Sequence, residues 1–160
     1  MINRSPFRDP HSAMSPSHPT AMHIERLRLR WGEMDAMRHL NNVSYFRYFE
    51  QARISWFEAL GFDAAGDVAG GPVLGSIHCR FIKPALYPCD VRVALWPTRI
   101  GNSSFTMGQQ MCRDGGDGEV YAAGDATMVW IDIATGRPRP LPASMRARLQ
   151  AAMDDSASTT

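Results

Sequence analysis

No apolar run in this 160-residue chain is long enough to cross a bilayer as a helix, although 44% of its residues are hydrophobic. A membrane partner is therefore not expected. Nor is there an excess of one charge. The formal net charge of +1 lacks the basic surplus that a nucleic-acid partner favours. Cysteine is scarce and unpatterned: Cys79, Cys89 and Cys112 form no CxxC or Cys/His spacing. Neither a disulfide framework nor a structural zinc site is expected, and three free thiols fit a reducing cytoplasm. The chain also has no G-x-S-x-G elbow and no HExxH helix, so the serine and zinc hydrolase templates find no match. No internal repeat is visible.

What remains is an ordinary globular composition, of a length that suits one domain with a real core. Residues 1–21 are rich in Pro, Ser and His and have no apolar segment of the secretory kind. They read as a mobile extension. The fold is expected over residues 22–153, with a loose tail over 154–160.

Along the chain, His23 to Trp31 alternates apolar and charged residues as a half-buried strand does. Residues 42–61, NVSYFRYFEQARISWFEALG, place Tyr45, Phe49, Ala52 and Trp56 on one helical face, with Phe46, Arg53 and Phe57 widening it. Four strands are predicted to follow, over 72–83, 90–99, 104–113 and 119–133, joined by short turns. A short helix is expected after the proline-rich approach PRPLP. Short turns favour an antiparallel sheet, because parallel strands would need crossover helices. The fold class is α+β, with one aromatic helix covered by a curved sheet whose edges invite a second copy.

Between the first strand and the helix lies WGEMDAMRHLNN, residues 31–42. Asn41 or Asn42 suits the N-cap of the helix, and Asp35 suits a polar turn. The same geometry serves chemistry. Free N–H groups at a helix N-terminus stabilise an oxyanion, and a nearby carboxylate attacks an acyl carbon or activates water. A thioester needs little help for its leaving group, since a thiol of pKa about 8.5 departs as thiolate. His39 suits substrate orientation or proton shuttling, or equally a bond within the loop. Glu33 is expected to be solvated, and Glu50 to pair with Arg47 or Arg53. The loop Arg99–Ser104 offers a cation and the hydroxyls of Ser103 and Ser104 for phosphate or pantetheine, but reads equally as a plain hairpin turn. Arg80, Lys83, Arg137 and Arg139 are further phosphate candidates.

The segments RWGEMDAMRHLNNVSYFRYFEQARISWFEALG, CRFIKPALYPCD, RIGNSSF and VWIDIATGRPRPLP occur in that order over roughly residues 24–150. In this the chain resembles the hotdog-fold acyl-CoA thioesterases of the 4-hydroxybenzoyl-CoA thioesterase type. The specific feature is D-x-x-x-H-x-N-N leading into an aromatic helix that continues F-E-x-A-R. The resemblance implies one long central helix wrapped by a five-stranded antiparallel sheet, and a homodimer or homotetramer with active sites at the dimer interface. It also implies metal-free hydrolysis of acyl-CoA without a cofactor. Asp35 takes the position of the catalytic aspartate, as nucleophile or general base, and backbone N–H groups near Asn41 and Asn42 polarise the carbonyl. The chain departs at Arg38, where many members carry glycine. The alternatives are a non-catalytic acyl-CoA-binding module and a thioesterase acting on acyl carrier protein.

Overall fold

The structure, a computed structural model, describes residues 20–61 and 70–158. Residues 1–19 of the expected extension lie outside the described residues. Strand β1 (His23–Arg28) leads through a 3-10 turn (Trp31–Glu33) to helix α1 (Asn42–Ala59). Strands β2 (Gly71–Phe81), β3 (Asp90–Ile100), β4 (Ser104–Arg113) and β5 (Val120–Ile131) follow, and helix α2 (Ala143–Ser158) closes the order. The strands form one antiparallel sheet in the order β1-β3-β4-β5-β2. The expected antiparallel sheet is present, and the long helix α1 is joined by a second helix, α2, where a short terminal one was expected.

Alternation sets the faces. Val91, Val93 and Leu95 of β3 are fully buried, while Arg92, Ala94 and Trp96 between them are half-buried on the other side. Phe105, Met107 and Met111 continue the inner face on β4. Against it α1 lays Tyr45, Tyr48, Phe49, Ala52, Trp56 and Phe57, all buried. The Trp56 and Phe105 rings meet edge-on with centroids 5.9 Å apart, a favoured aromatic geometry. Trp56 and Phe57 are therefore core residues. Trp96 lies on the outer face, its ring occupying the space a side chain at Gly108 would need. Trp31 is the outlier, 76% exposed in the 3-10 turn.

One polar pair is built into this core. Arg53 is only 4% exposed, and its Nη1 donates to Gln109 Oε1 at 3.1 Å. Burial lowers the pKa of its guanidinium. The expected ion pair from Glu50 to Arg53 or Arg47 does not form within 4 Å among the described residues. Arg53 points inward to the sheet, whereas Glu50 is exposed.

The terminal helix is longer than expected. It runs to Ser158, so residues 154–158 are helical where a loose tail was predicted. Gln150 Nε2 donates to Asp154 Oδ1 at 3.0 Å, one turn on, supporting the last two turns. Met145 and Leu149 are fully buried, and Arg146 bonds the β3–β4 turn. Met22 N–H donates to Leu95 O at 2.8 Å, which anchors the chain just ahead of β1.

Candidate active site

The segment from Glu33 to Asn42 is a tight excursion between β1 and α1. Met34 and Leu40 face each other as an antiparallel bridge. Inside it, Asp35 N–H donates to His39 O at 2.8 Å and Arg38 N–H to Asp35 O at 3.0 Å. Closing the chain this tightly puts Arg38 at φ +61°, the left-handed region. Glycine, found there in many hotdog thioesterases, enters that region freely, and arginine does so at a cost. The departure noted in the sequence thus falls at a position whose backbone favours glycine.

The Asp35 carboxylate is held at one oxygen. Oδ1 accepts Met37 N–H at 2.8 Å and His39 N–H at 3.1 Å, an Asx-type turn. Oδ2 takes no donor among the described residues. The carboxylate is fixed in orientation and keeps a second oxygen for other work.

At the helix start, Asn41 is the N-cap, its Oδ1 accepting Val43 N–H at 3.0 Å. Asn42 is the first helical residue, and its N–H takes no partner among the described residues. That leaves a free donor at the positive end of an 18-residue helix.

These groups share one cleft, of about 410 Å³. Asp35, His39 and Asn42 line one side, and Leu40, Tyr45, Phe81, Ile82 and Pro84 supply apolar walls, with Lys83 at the rim. His39 is half-buried there, and no side-chain partner of its ring is found among the described residues. Tyr45 projects from the first turns of α1, edge-on to Phe81 with centroids 5.1 Å apart. Its hydroxyl accepts Ala85 N–H at 3.2 Å. Burial raises its pKa, reinforced by nearby Cys79 and Asp35, so it remains a phenol with a hydrogen to donate. Lys83 Nζ is 2.8 Å from Glu119 Oε1, a pairing that raises the lysine pKa.

Of the residues read from the sequence, Asp35, His39 and Asn42 meet in the cleft, and Asn41 shapes it from behind as the cap. Arg99, Ser103 and Ser104 do not join them within one chain. They sit at the β3–β4 turn, the far end of β3 from Asp90, whereas Phe81 and the Asp35 loop lie at the Asp90 end. Glu50 lies in a different groove, with Arg47 and Tyr48. Glu33, expected to be solvated, is half-buried, and its carboxylate accepts the Tyr48 hydroxyl and Arg30 N–H. Among the described residues no three His, Cys, Asp or Glu side chains converge as metal ligands. The cleft role of Tyr45 went unread because its helical spacing marked it only as core. Phe81, Ile82 and Pro84 carried a signal in the matched segment CRFIKPALYPCD.

A family model of the thioesterase-like superfamily matches residues 29–149, which takes in the Asp35 loop, α1 and the whole sheet after it. The chain belongs to that superfamily. A thioesterase-like protein of this kind is a thioester hydrolase, and the solved structures around it agree. A candidate thioesterase from Pseudomonas aeruginosa is 37% identical, with a TM-score of 0.75 over 79% of this chain and 97% of its own. A candidate acyl-CoA thioesterase from Xanthomonas campestris is 32% identical, with a TM-score of 0.65 over 71% and 95%. A Thermus thermophilus thioesterase solved with coenzyme A and zinc is 28% identical, with a TM-score of 0.72 over 84% and 96%. The five-stranded antiparallel sheet with its helices is the hotdog architecture these thioesterases share.

Proposed function

We propose that this protein hydrolyses an acyl-CoA to the free acid and CoA, with Asp35 as nucleophile or general base. The observation that carries the reading is the asymmetry of the Asp35 carboxylate. Its Oδ1 is locked by two backbone N–H groups, while Oδ2 takes no donor among the described residues, and Asp35 and Asn42 line the same cleft. A thioester carbonyl oxygen placed on that N–H is polarised by the helix N-terminus as negative charge develops. Oδ2 then attacks the acyl carbon, and water opens the resulting anhydride. In the other route Oδ2 takes a proton from a water that attacks instead. In both, the C–S bond breaks, a C–O bond forms, and the thiolate leaves and is protonated. His39 stands beside Asp35 to orient substrate or relay that proton.

Coenzyme A as the carrier is supported by the Thermus thermophilus structure, which holds it. A homodimer, or a homotetramer built from dimers, is supported by the edge strand β2. It exposes Val73, Leu74 and Phe81, and Ile82, Leu86 and Tyr87 continue the apolar surface. A two-fold partner on β2 runs antiparallel, so its β3–β4 turn comes to the end of the sheet that carries Asp35. Arg99, Ser103 and Ser104 of a second copy are then the ones offered to CoA. We place the activity in the cytoplasm, consistent with three free cysteines. No helix among the described residues is long and apolar enough to cross a membrane.

The test is thiol release from aromatic, short, medium and long acyl-CoAs, with Asp35→Asn alongside. Asn keeps an oxygen for the Met37 and His39 N–H groups but is neither base nor effective nucleophile. It is expected to lower kcat at least about a hundredfold with the fold intact. Full turnover in Asp35→Asn overturns the assignment.

A further inference from the structure

We propose that Glu33 and Tyr48 form a clamp that sets the position of Asp35, and that both are positioning residues for the reaction above. The inference rests on Asp35 being the reactive carboxylate.

Glu33 ties three parts of the chain together. Its Oε2 accepts the Tyr48 hydroxyl in a short hydrogen bond, and the same oxygen accepts Arg30 N–H at 3.2 Å. Its backbone carbonyl accepts Asn41 N–H at 2.9 Å. One residue therefore joins the segment leaving β1, the N-cap of α1 and the second turn of that helix. Asp35 lies two residues further on, just inside the Met34–Leu40 bridge.

Tyr48 is a rigid anchor for this purpose. It is buried on the core face of α1, and its hydroxyl also lies 3.3 Å from Arg28 O. Burial and the Glu33 carboxylate hold that hydroxyl far above the ordinary phenol range, so it stays a donor at any working pH. Arg28, Arg30, Arg47 and Glu50 line a groove of about 480 Å³ over this contact, separate from the Asp35 cleft. Glu33 and Tyr48 line that groove and not the cleft, so neither touches substrate at the Asp35 site.

The need for a clamp follows from reach. Asp35 sits in a turn whose internal bonds fix its shape but not its height over the helix N-terminus. Displacing a reacting group by about 1 Å costs on the order of a hundredfold in rate. The bonds from Glu33 to Tyr48 and Asn41 reference the turn to α1, which carries the Asn42 N–H.

The experiment compares Tyr48→Phe, Glu33→Ala and Glu33→Gln, each checked for a cooperative fold. Tyr48→Phe and Glu33→Ala are expected to lower kcat ten- to a hundredfold with KM within about twofold. Glu33→Gln, which keeps an acceptor oxygen, recovers most of the rate. The substrate-free readout is single-residue amide exchange. Met37 and His39, which donate to Asp35 Oδ1, exchange at least about tenfold faster in Tyr48→Phe, while Val93 and Met107 in the sheet keep wild-type rates. Unchanged exchange at Met37 and His39 in Tyr48→Phe overturns the clamp, even if turnover falls. A rise spread equally through the sheet overturns it too, by showing general loosening. If wild type releases no thiol, the Asp35 reading fails on its own, and the exchange data still judge the clamp.

Discussion

Arg146 of α2 donates through Nη2 to the carbonyl of Gly101 at 2.7 Å and to that of Asn102 at 3.1 Å. The terminal helix is thereby fastened to the β3–β4 turn by a charged donor on two backbone acceptors. Hydrogen bonds to charged groups carry about 1.5–3 kcal/mol. Arg146→Ala is expected to destabilise the protein by about 2 kcal/mol, read as a shift in the urea midpoint without a change in slope. A shift below about 0.5 kcal/mol would mean that α2 is held without this contact, chiefly through the buried Met145 and Leu149.

Arg38 stores strain at φ +61° beside Asp35. Leaving the left-handed region to a non-glycine residue costs about 1–2 kcal/mol, and glycine returns part of that gain as chain entropy. Arg38→Gly should therefore raise stability by about 0.5–1 kcal/mol in thermal unfolding. The turn bonds to Asp35 stay in place, because none of them uses the Arg38 side chain. Loss of stability in this variant would show that the arginine side chain makes contacts that outweigh its backbone.

Tyr121 gives the protein an alkaline limit. Burial pushes its phenol up, the neighbouring Cys89 thiol adds to this, Arg113 pulls it back, and the pKa settles at about 12. A group whose pKa is raised on folding holds its proton more tightly in the native state. Its contribution is complete below the ordinary tyrosine value of about 10 and is lost as pH rises from there toward 12. Stability measured against pH should decline in that window, and Tyr121→Phe should make the decline shallower. Tyr45, Tyr48, Cys79 and Cys112, whose pKa values burial also raises, add to the slope that remains.

The order of elements was legible because local periodicity carries it. The alternation in 90–99 and the helical stripe from Tyr45 to Trp56 each follow from side-chain geometry within a dozen residues. The N-cap at Asn41 was legible for the same reason. Long-range pairings were not. Nothing in the spacing of Glu33 and Tyr48 marks them as partners, so Glu33 read as solvated. Arg53 read as an ion-pair donor on the helix because its true acceptor, Gln109, lies 56 positions away. The cleft role of Tyr45 depends on Ala85 and Phe81, which only the folded chain brings to it. The length of α2 was underestimated because Asp154 and Ser156 resemble a tail until Gln150 and Ala152 supply their bonds.

Trp31 has an optical consequence. Trp56 and Trp130 are buried and Trp96 lies over Gly108, so their emission reports the interior and the sheet. The indole of Trp31 stands in water at 76% exposure, four residues ahead of Asp35. The red edge of the tryptophan spectrum therefore belongs to the segment that carries Asp35, and the blue edge to the core. A label-free fluorimeter can follow the two separately, watching the loop respond to an arriving acyl-CoA while the interior serves as its own reference.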